Sequence, residues 1–567
     1  MTMRTQSTLS LFGAAFAVSA IHGCTTTHPT PPPPSPPVYW STYRYDALRG
    51  GNQPTVTALS DPTKVPSLAV RATFPATGSE GGGFFASAIV VGSRVYIGSL
   101  SGRFYALDAT TLQPIWEYPP AGQPPLLGSC TGDPGNPAIT QSWGRYGIQS
   151  SASYYKSATG VSMVIFGATD PSADSGLGSA SLFALNPADG ALIWKSDVVA
   201  HLDGCTVGSV TDRHERIAYS SPLVSGGVVY VGIHDSADDP TQRGSVVAVS
   251  ADTGHLIPGF GYFSTSPGAH GGGVWNSLAA DPEGDVYFTT GNIRCNGFSC
   301  PPEPPVDYGL SLMRIDPKTG GVSWQFKAVP FDLDDDADWA AGVAIIQASC
   351  GTMATSVQKD GFAYGIDTAS GNCRWHFPPA APAACKFPSG GPRDHGDNDF
   401  KRPGAAWGDV LVITTGGESL LQDGAGAGYG RLHALNVCAA DELHRVRWLV
   451  DVPNATLGGN GGYALGAPTV TGGIFYVTTD QGHVVAVADP SVTPGSGYRC
   501  SNVDFTVAQC AQAGFAVVPI PVVLANVALP DAGTYSPNAA AMRNEPVLAN
   551  GRLYVGTPGG HVFMLSP

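Results

Sequence analysis

The chain has 567 residues, 73 of them glycine and 48 proline, and only 13 % are charged. That composition favours many short strands and turns over long amphipathic helices. A net charge of −15 at pH 7 argues against nucleic acid or an anionic membrane surface as partner, since either would favour a basic face.

In chain order, residues 1–23 read as a signal peptide. Arg4 marks a short n-region, the apolar stretch from Leu9 to Ile21 is too short to span a bilayer, and Ile21-His22-Gly23-Cys24 is a lipobox-like run. Cys24 is therefore the expected lipidation site. Thr25 after it, by resemblance to enteric lipoproteins, points to the periplasmic face of the outer membrane. Residues 24–37 are this Cys and the run TTTHPTPPPPSPP, a proline-rich tether that cannot build a core. Contact with the membrane is expected through this anchor only. Setting Cys24 aside from the 11 cysteines leaves ten, an even set that suits disulfides in an exported protein. Cys295/Cys300, Cys373/Cys385 and Cys500/Cys510 are the local pairs expected.

From residue 38 to 567 one unit recurs, and this span reads as a single domain. The unit is clearest in SAIVVGSRVYIGSLSGRFYALDATTLQPIWEY from Ser87: β-rich runs at Val90-Val91 and Val95-Tyr96 flank a Gly92-Ser93 hairpin signal, and Phe104, Tyr105 and Leu107 lead into an Asp108 turn before Trp116. Related copies end at Trp194, Trp324, Trp375 and Trp448, one lies around Asp252, and two more are GIFYVTTDQGHVVAVADP and the terminal GRLYVGTPGGHVFMLSP. About eight copies make an all-β fold, an eight-bladed β-propeller of four-stranded antiparallel blades with insertions on the faces of the disc. The last copy lacks its Trp-bearing strand, whereas SLAVRATFPATG near the N-terminus looks like such a strand detached from any copy. An N-terminal strand is thus expected to close the ring and leave no open edge.

TYRYDALRGGNQPTVTALSDPTKVPSLAVRATFP, from Thr42, resembles the N-terminal signature of the PQQ-type quinoprotein dehydrogenases, most closely the polyvinyl-alcohol-dehydrogenase-like branch. The resemblance implies functional residues in HGGGVWNSLAADPEGDVYFTTGNIRC and beyond. Trp275 would lie beneath the flat quinone and Asn292 would give an oxygen to Ca2+, residue types that suit an aromatic floor and a hard cation. VPFDLDDDADWAAG crowds Asp332, Asp334, Asp335, Asp336 and Asp338 into one loop, where like charges repel unless a cation or proton is shared. Counting from Trp324 gives the general base and a metal ligand as Asp335; an alternative register, DxDW, aligns Asp336, Asp338 and Trp339 instead. Lys359 in SVQKDGFAYGID would contact the quinone oxygens, and Arg145 and Ser150 in GRYGIQSSAS would line the pocket. The family's metal carboxylate has no SSxE-type run here, and Asp238 or Asp239 would substitute. The family's adjacent Cys-Cys pair is missing.

These residues imply a quinoprotein oxidoreductase that oxidises an alcohol or other hydroxyl-bearing compound, small or polymeric, with PQQ and Ca2+. The sequence contains no CxxCH, so electrons would pass to an external acceptor such as a cytochrome c. The rival expectation is a non-catalytic propeller lipoprotein serving as a binding or assembly scaffold in the envelope.

Overall fold

The structure is a computed structural model and describes residues 39–127, 147–170, 179–197, 215–217, 219–235, 243–265, 271–292, 308–329, 338–339, 341–359, 361–378, 385, 402–415, 429–456, 465–502, 505–531 and 544–567. These form eight antiparallel sheets arranged as successive blades. Blades 1 to 7 span 89–118, 153–197, 223–263, 279–326, 344–377, 405–456 and 469–528. Blade 8 combines Val547–Ala549, Arg552–Gly556 and Val562–Ser566 with the N-terminal strand Ala69–Phe74. That strand pairs antiparallel with Val562–Ser566, Phe74 opposite Val562, so the ring closes as the repeat phase requires.

Within blade 1, Ile89–Val91 and Arg94–Gly98 turn about Gly92, and Phe104–Asp108 leads to Pro114–Tyr118. The repeated tryptophan explains how blades join. Trp116 of blade 1 donates its indole N–H to Pro187 O at 3.2 Å, Trp194 to Ala251 O at 3.0 Å, and Trp324 to Thr368 O at 2.9 Å, each in the next blade. A Cβ at Gly190, which has φ of 75°, would lie 2.8 Å from the Trp116 ring, so the turn glycine of one blade is where the preceding blade's indole packs. Trp448 closes the same contact through Asp489 Oδ2 at 2.7 Å.

Two of the expected disulfides are present, Cys373–Cys385 and Cys500–Cys510; Cys295 and Cys300 lie outside the described residues. A third, Cys350–Cys438, ties blades 5 and 6 across a sequence separation of 88. Local spacing could not reveal it. Blade 7 also departs from the simple repeat. Its outer strand Val522–Ala528 follows an insertion of the hairpin Gly497–Cys500 and Val517–Ile520 with a short helix, Val507–Gln512, pinned by Cys500–Cys510.

The axis of the ring is filled by residues 40–53. Trp40 pairs with Val90 in blade 1, and the carbonyls of Ser41, Ala47, Leu48, Gly50 and Gly51 accept from Tyr154, Ala280, Ile345, Ala406 and Val470 in blades 2, 4, 5, 6 and 7. Gln53 Nε2 reaches Leu548 O in blade 8, and Arg49 Nη2 reaches Pro222 O beside blade 3. One short segment therefore hydrogen-bonds to all eight blades. Two residues before each innermost strand lies a second axial element, with Ser87, Ser151, Ser221 and Ser277 in the first four blades. Each of the first three offers its backbone N–H, at 3.0 Å, to the next serine's hydroxyl. In blade 8 the position is Glu545, and Arg44 from the axial segment meets it at 2.9 Å, both side chains fully buried.

Candidate active site

Trp275 lies four residues before the innermost strand of blade 4, and the strand's start is held from the axis by Arg49 Nε to Leu278 O at 2.8 Å. Asp338 and Trp339 precede blade 5. They pair with the end of its second strand, since Trp339 bridges Gln358 and Lys359 N–H donates to Asp338 O at 2.9 Å. That backbone pairing puts the Lys359 ammonium 2.6 Å from Asp338 Oδ1. On the other side, Trp275 Nε1 donates to Asp338 Oδ2 at 2.9 Å. Lys359 Nζ lies 5.7 Å from the Trp275 ring centroid, and Tyr219 meets the indole edge-on at 6.1 Å. The side chains of Lys359 and Asp338 are only 14 % and 7 % exposed, so their mutual charge is weakly screened.

Two neighbours shape this cluster. Asn276 Nδ2 donates to Trp339 O at 2.9 Å and fixes the height of the Asp338-Trp339 pair against blade 4. Gly291 carries the backbone past it: a Cβ there would approach Asp338 Oδ2 and Trp275 Cδ1 to 3.4 Å. Asn292, the next residue, has a buried Oδ1, and its carbonyl accepts from Gly272 N–H at 2.7 Å. Trp339 is fully buried among Phe326 and Tyr364; the DxDW run therefore splits into a core anchor and a carboxylate in the site.

The structure thus brings together Trp275 and Lys359 of the residues named from sequence, with Asn292 beside them through Gly291. Ser150 is fully buried in the axial wall and donates to Gly167 O at 3.2 Å, which gives it a structural bond. Arg145, Asp238, Asp335 and Cys24 lie outside the described residues. Sequence reasoning held Asp338 only as an alternative and missed Tyr219 and Asn276. The signal for Asn276 was its position next to Trp275; Tyr219 carried none. Among the described residues, no group of three or more His, Cys, Asp or Glu side chains forms a metal cluster.

At the axis, desolvation pushes Arg49 down to about 10, against the raising influence of Tyr43, Asp46 and Glu545. Desolvation likewise pushes the Tyr43 phenol up to about 12, and the Glu545 carboxyl above its ordinary value although Arg44 opposes the shift.

A flat aromatic side chain, a cation, a carboxylate and an amide oxygen on one side of a propeller axis suit a planar quinone with an oxygen-ligated cation. The family model for the glucose/ethanol/alcohol dehydrogenase β-propeller domain, PQQ, matches residues 70–376, a span that includes every one of these groups. The chain belongs to this PQQ dehydrogenase family. The match is to the propeller domain as a whole and does not single out the polyvinyl-alcohol branch. Among solved structures, the quinohemoprotein alcohol dehydrogenase of Comamonas testosteroni aligns at 17 % identity over 93 % of this chain and 80 % of its own, with a TM-score of 0.60. A europium-containing methanol dehydrogenase aligns at 14 % identity over 93 % of this chain and 98 % of its own, with a TM-score of 0.62. These low-identity likenesses establish the fold that the PQQ-family propeller shares. No curated protein matches in sequence.

Proposed function

We propose that this PQQ-family propeller is a quinoprotein oxidoreductase acting on an alcohol or other hydroxyl-bearing substrate. The observation that carries the reading is Asp338 held between Lys359 Nζ at 2.6 Å and Trp275 Nε1 at 2.9 Å within the span matched by the family. Trp275 and Lys359 would hold PQQ, and Asn292 and Asp338 would offer oxygens to a calcium ion. When bound, the quinone supplies the two-electron acceptor for the substrate's hydride. Asp338 takes the proton of the substrate hydroxyl as general base; Lys359 and the Trp275 N–H fix its two oxygens, so the carboxylate is oriented before substrate arrives. Asn276 maintains that position through the Trp339 carbonyl. Counting along the sequence assigned the base to Asp335; the geometry around Asp338 favours the DxDW register.

The anchored, exported location and an external electron acceptor such as a cytochrome c belong to the same proposal, supported by the lipobox-like run at Cys24 and the absence of CxxCH from the sequence. A non-catalytic scaffold would have no call on this arrangement of carboxylate, cation and indole. Reconstituting the purified protein with PQQ and calcium tests the reading: dye-linked alcohol oxidation and quinone absorbance retained after desalting are expected. Loss of all quinone on desalting, with calcium or with a lanthanide, overturns it.

A further inference from the structure

The three disulfides among the described residues differ in how they meet solvent. Cys350 is exposed and Cys438 half-buried, so Cys350–Cys438 is open to attack. Cys500 and Cys510 are both buried. Cys373–Cys385 presents one sulfur and hides the other: Cys373, at the start of the outermost strand of blade 5, is half-buried, whereas Cys385 is 3 % exposed. Its sequence separation of 12 is close to the 10 of Cys500–Cys510, so loop length does not set the two apart. Their surroundings do. A backbone carbonyl lies 3.2 Å from Cys373 Sγ, that of Trp375, and another 3.2 Å from Cys510 Sγ, that of Ala516. Among the described disulfides, an imidazole meets a sulfur at Cys385 alone, where His376 Nδ1 stands 3.6 Å from Sγ. His376 is buried, paired opposite Tyr364 in the blade 5 sheet and packed 5.9 Å from the Phe362 ring, so the imidazole is fixed in place.

Burial makes Cys385 the sulfur that must leave when Cys373 is attacked, and a thiolate there would be buried without compensation unless a neighbour supplied a proton. We propose that Cys373–Cys385 is a thiol–disulfide exchange site for a dithiol reductant, with His376 as proton donor to the leaving sulfur. A thiolate of the reductant attacks Cys373 Sγ, the S–S bond breaks, and its electron pair leaves on Cys385 Sγ, which takes the proton that His376 carries on Nδ1. The reductant's second sulfur then attacks the mixed disulfide, closing the reductant's own disulfide and releasing Cys373, which takes a proton from solvent. The reductant loses two electrons and two protons, the protein gains two thiols, and His376 regains its proton from solvent. Cys385 packs in one apolar cluster with Phe326, Trp339 and Tyr364, so the exchange unfastens a residue from the cluster that anchors the Asp338-Trp339 pair.

The test treats the folded full chain with dithiothreitol, quenches with iodoacetamide at intervals and reads each cysteine by peptide mass spectrometry, with circular dichroism followed in parallel. Accessibility alone would open Cys350–Cys438 first. The expected result is that Cys373–Cys385 opens first, about tenfold faster than Cys350–Cys438, while the dichroism of the folded chain persists. His376→Gln keeps an N–H donor but has no proton to release; it should slow that opening about tenfold and leave the rate at Cys350–Cys438 unchanged. Three results overturn the inference: Cys350–Cys438 opening first in the wild type, Cys373–Cys385 opening only together with Cys500–Cys510 as the fold is lost, or a folded His376→Gln variant reduced at the wild-type rate. The order in the wild-type protein decides the matter even if the variant does not fold.

Discussion

Two buried ion pairs stand near the axis and do different work. Arg44 and Glu545 are fully buried, and the guanidinium also donates to Arg49 O, Pro468 O and Gly404 O; a Cβ at Gly51, whose φ is 62°, would lie 2.3 Å from Arg44 Nη2. Lys359 and Asp338 instead meet against an indole, whose N–H donates to the second carboxylate oxygen, at the ends of strands. The first pair joins blades through backbone carbonyls, and its value lies in satisfying groups that the ring's centre would otherwise bury unpaired. The second holds a carboxylate and an ammonium in a fixed orientation, the arrangement required of groups that act on a ligand. Burial alone does not separate structural from chemical charge. The kind of partner does.

The largest effect expected is on chemistry. Asp338→Asn should lower dye-linked turnover of the reconstituted protein by about 10²- to 10⁴-fold, with a melting temperature closer to wild type than that of the Arg44 variant below; unchanged turnover would move the base elsewhere. Arg44→Met should do the reverse, costing about 3–5 kcal/mol in denaturant unfolding because Glu545 is left buried without its cation. Its pH dependence has a definite sign. Burial raises the folded-state pKa of Glu545, and removing Arg44 raises it further. The folded state then binds more protons than the unfolded one, so the variant is most stable below the ordinary carboxylate pKa and loses stability as pH rises through and above it. Stability independent of pH in that window would contradict the assignment.

Smaller effects extend the contrast to blade-to-blade joins that involve no charge. Breaking Cys350–Cys438 by Cys350→Ser with Cys438→Ser should cost about 2–4 kcal/mol, read as a lower denaturation midpoint with quinone binding retained. Trp324→Phe removes the indole donor to Thr368 O and part of the ring that packs over Gly371 and against Tyr287, and should cost about 1–3 kcal/mol, again without changing the affinity for PQQ. A loss of cofactor affinity in either would mean that blade joints and site are more tightly coupled than the two ion pairs suggest.

Much of the fold was legible because a propeller repeats. Each copy must present a turn glycine where the previous blade's tryptophan packs, so Trp116, Trp194 and Trp324 announce themselves in sequence with Gly190, Gly254 and Gly371. The phase of SLAVRATFPATG against the last copy likewise announced the closing strand. The site was less legible. Several aspartates in a run have equivalent sequence signals, and only the bridge from Trp339 to Gln358 gives Asp338 a fixed place beside Lys359.

The sequence by itself determined the repeat, its phase and the aromatic and cationic residues that a family resemblance could assign, because those depend on local periodicity and motif. Tertiary structure alone decided which carboxylate meets Trp275, that Cys350 pairs with Cys438, and that residues 40–53 fill the axis and bond to every blade. All three depend on contacts between segments far apart in the chain, where closing the ring sets the distances and no local pattern records them.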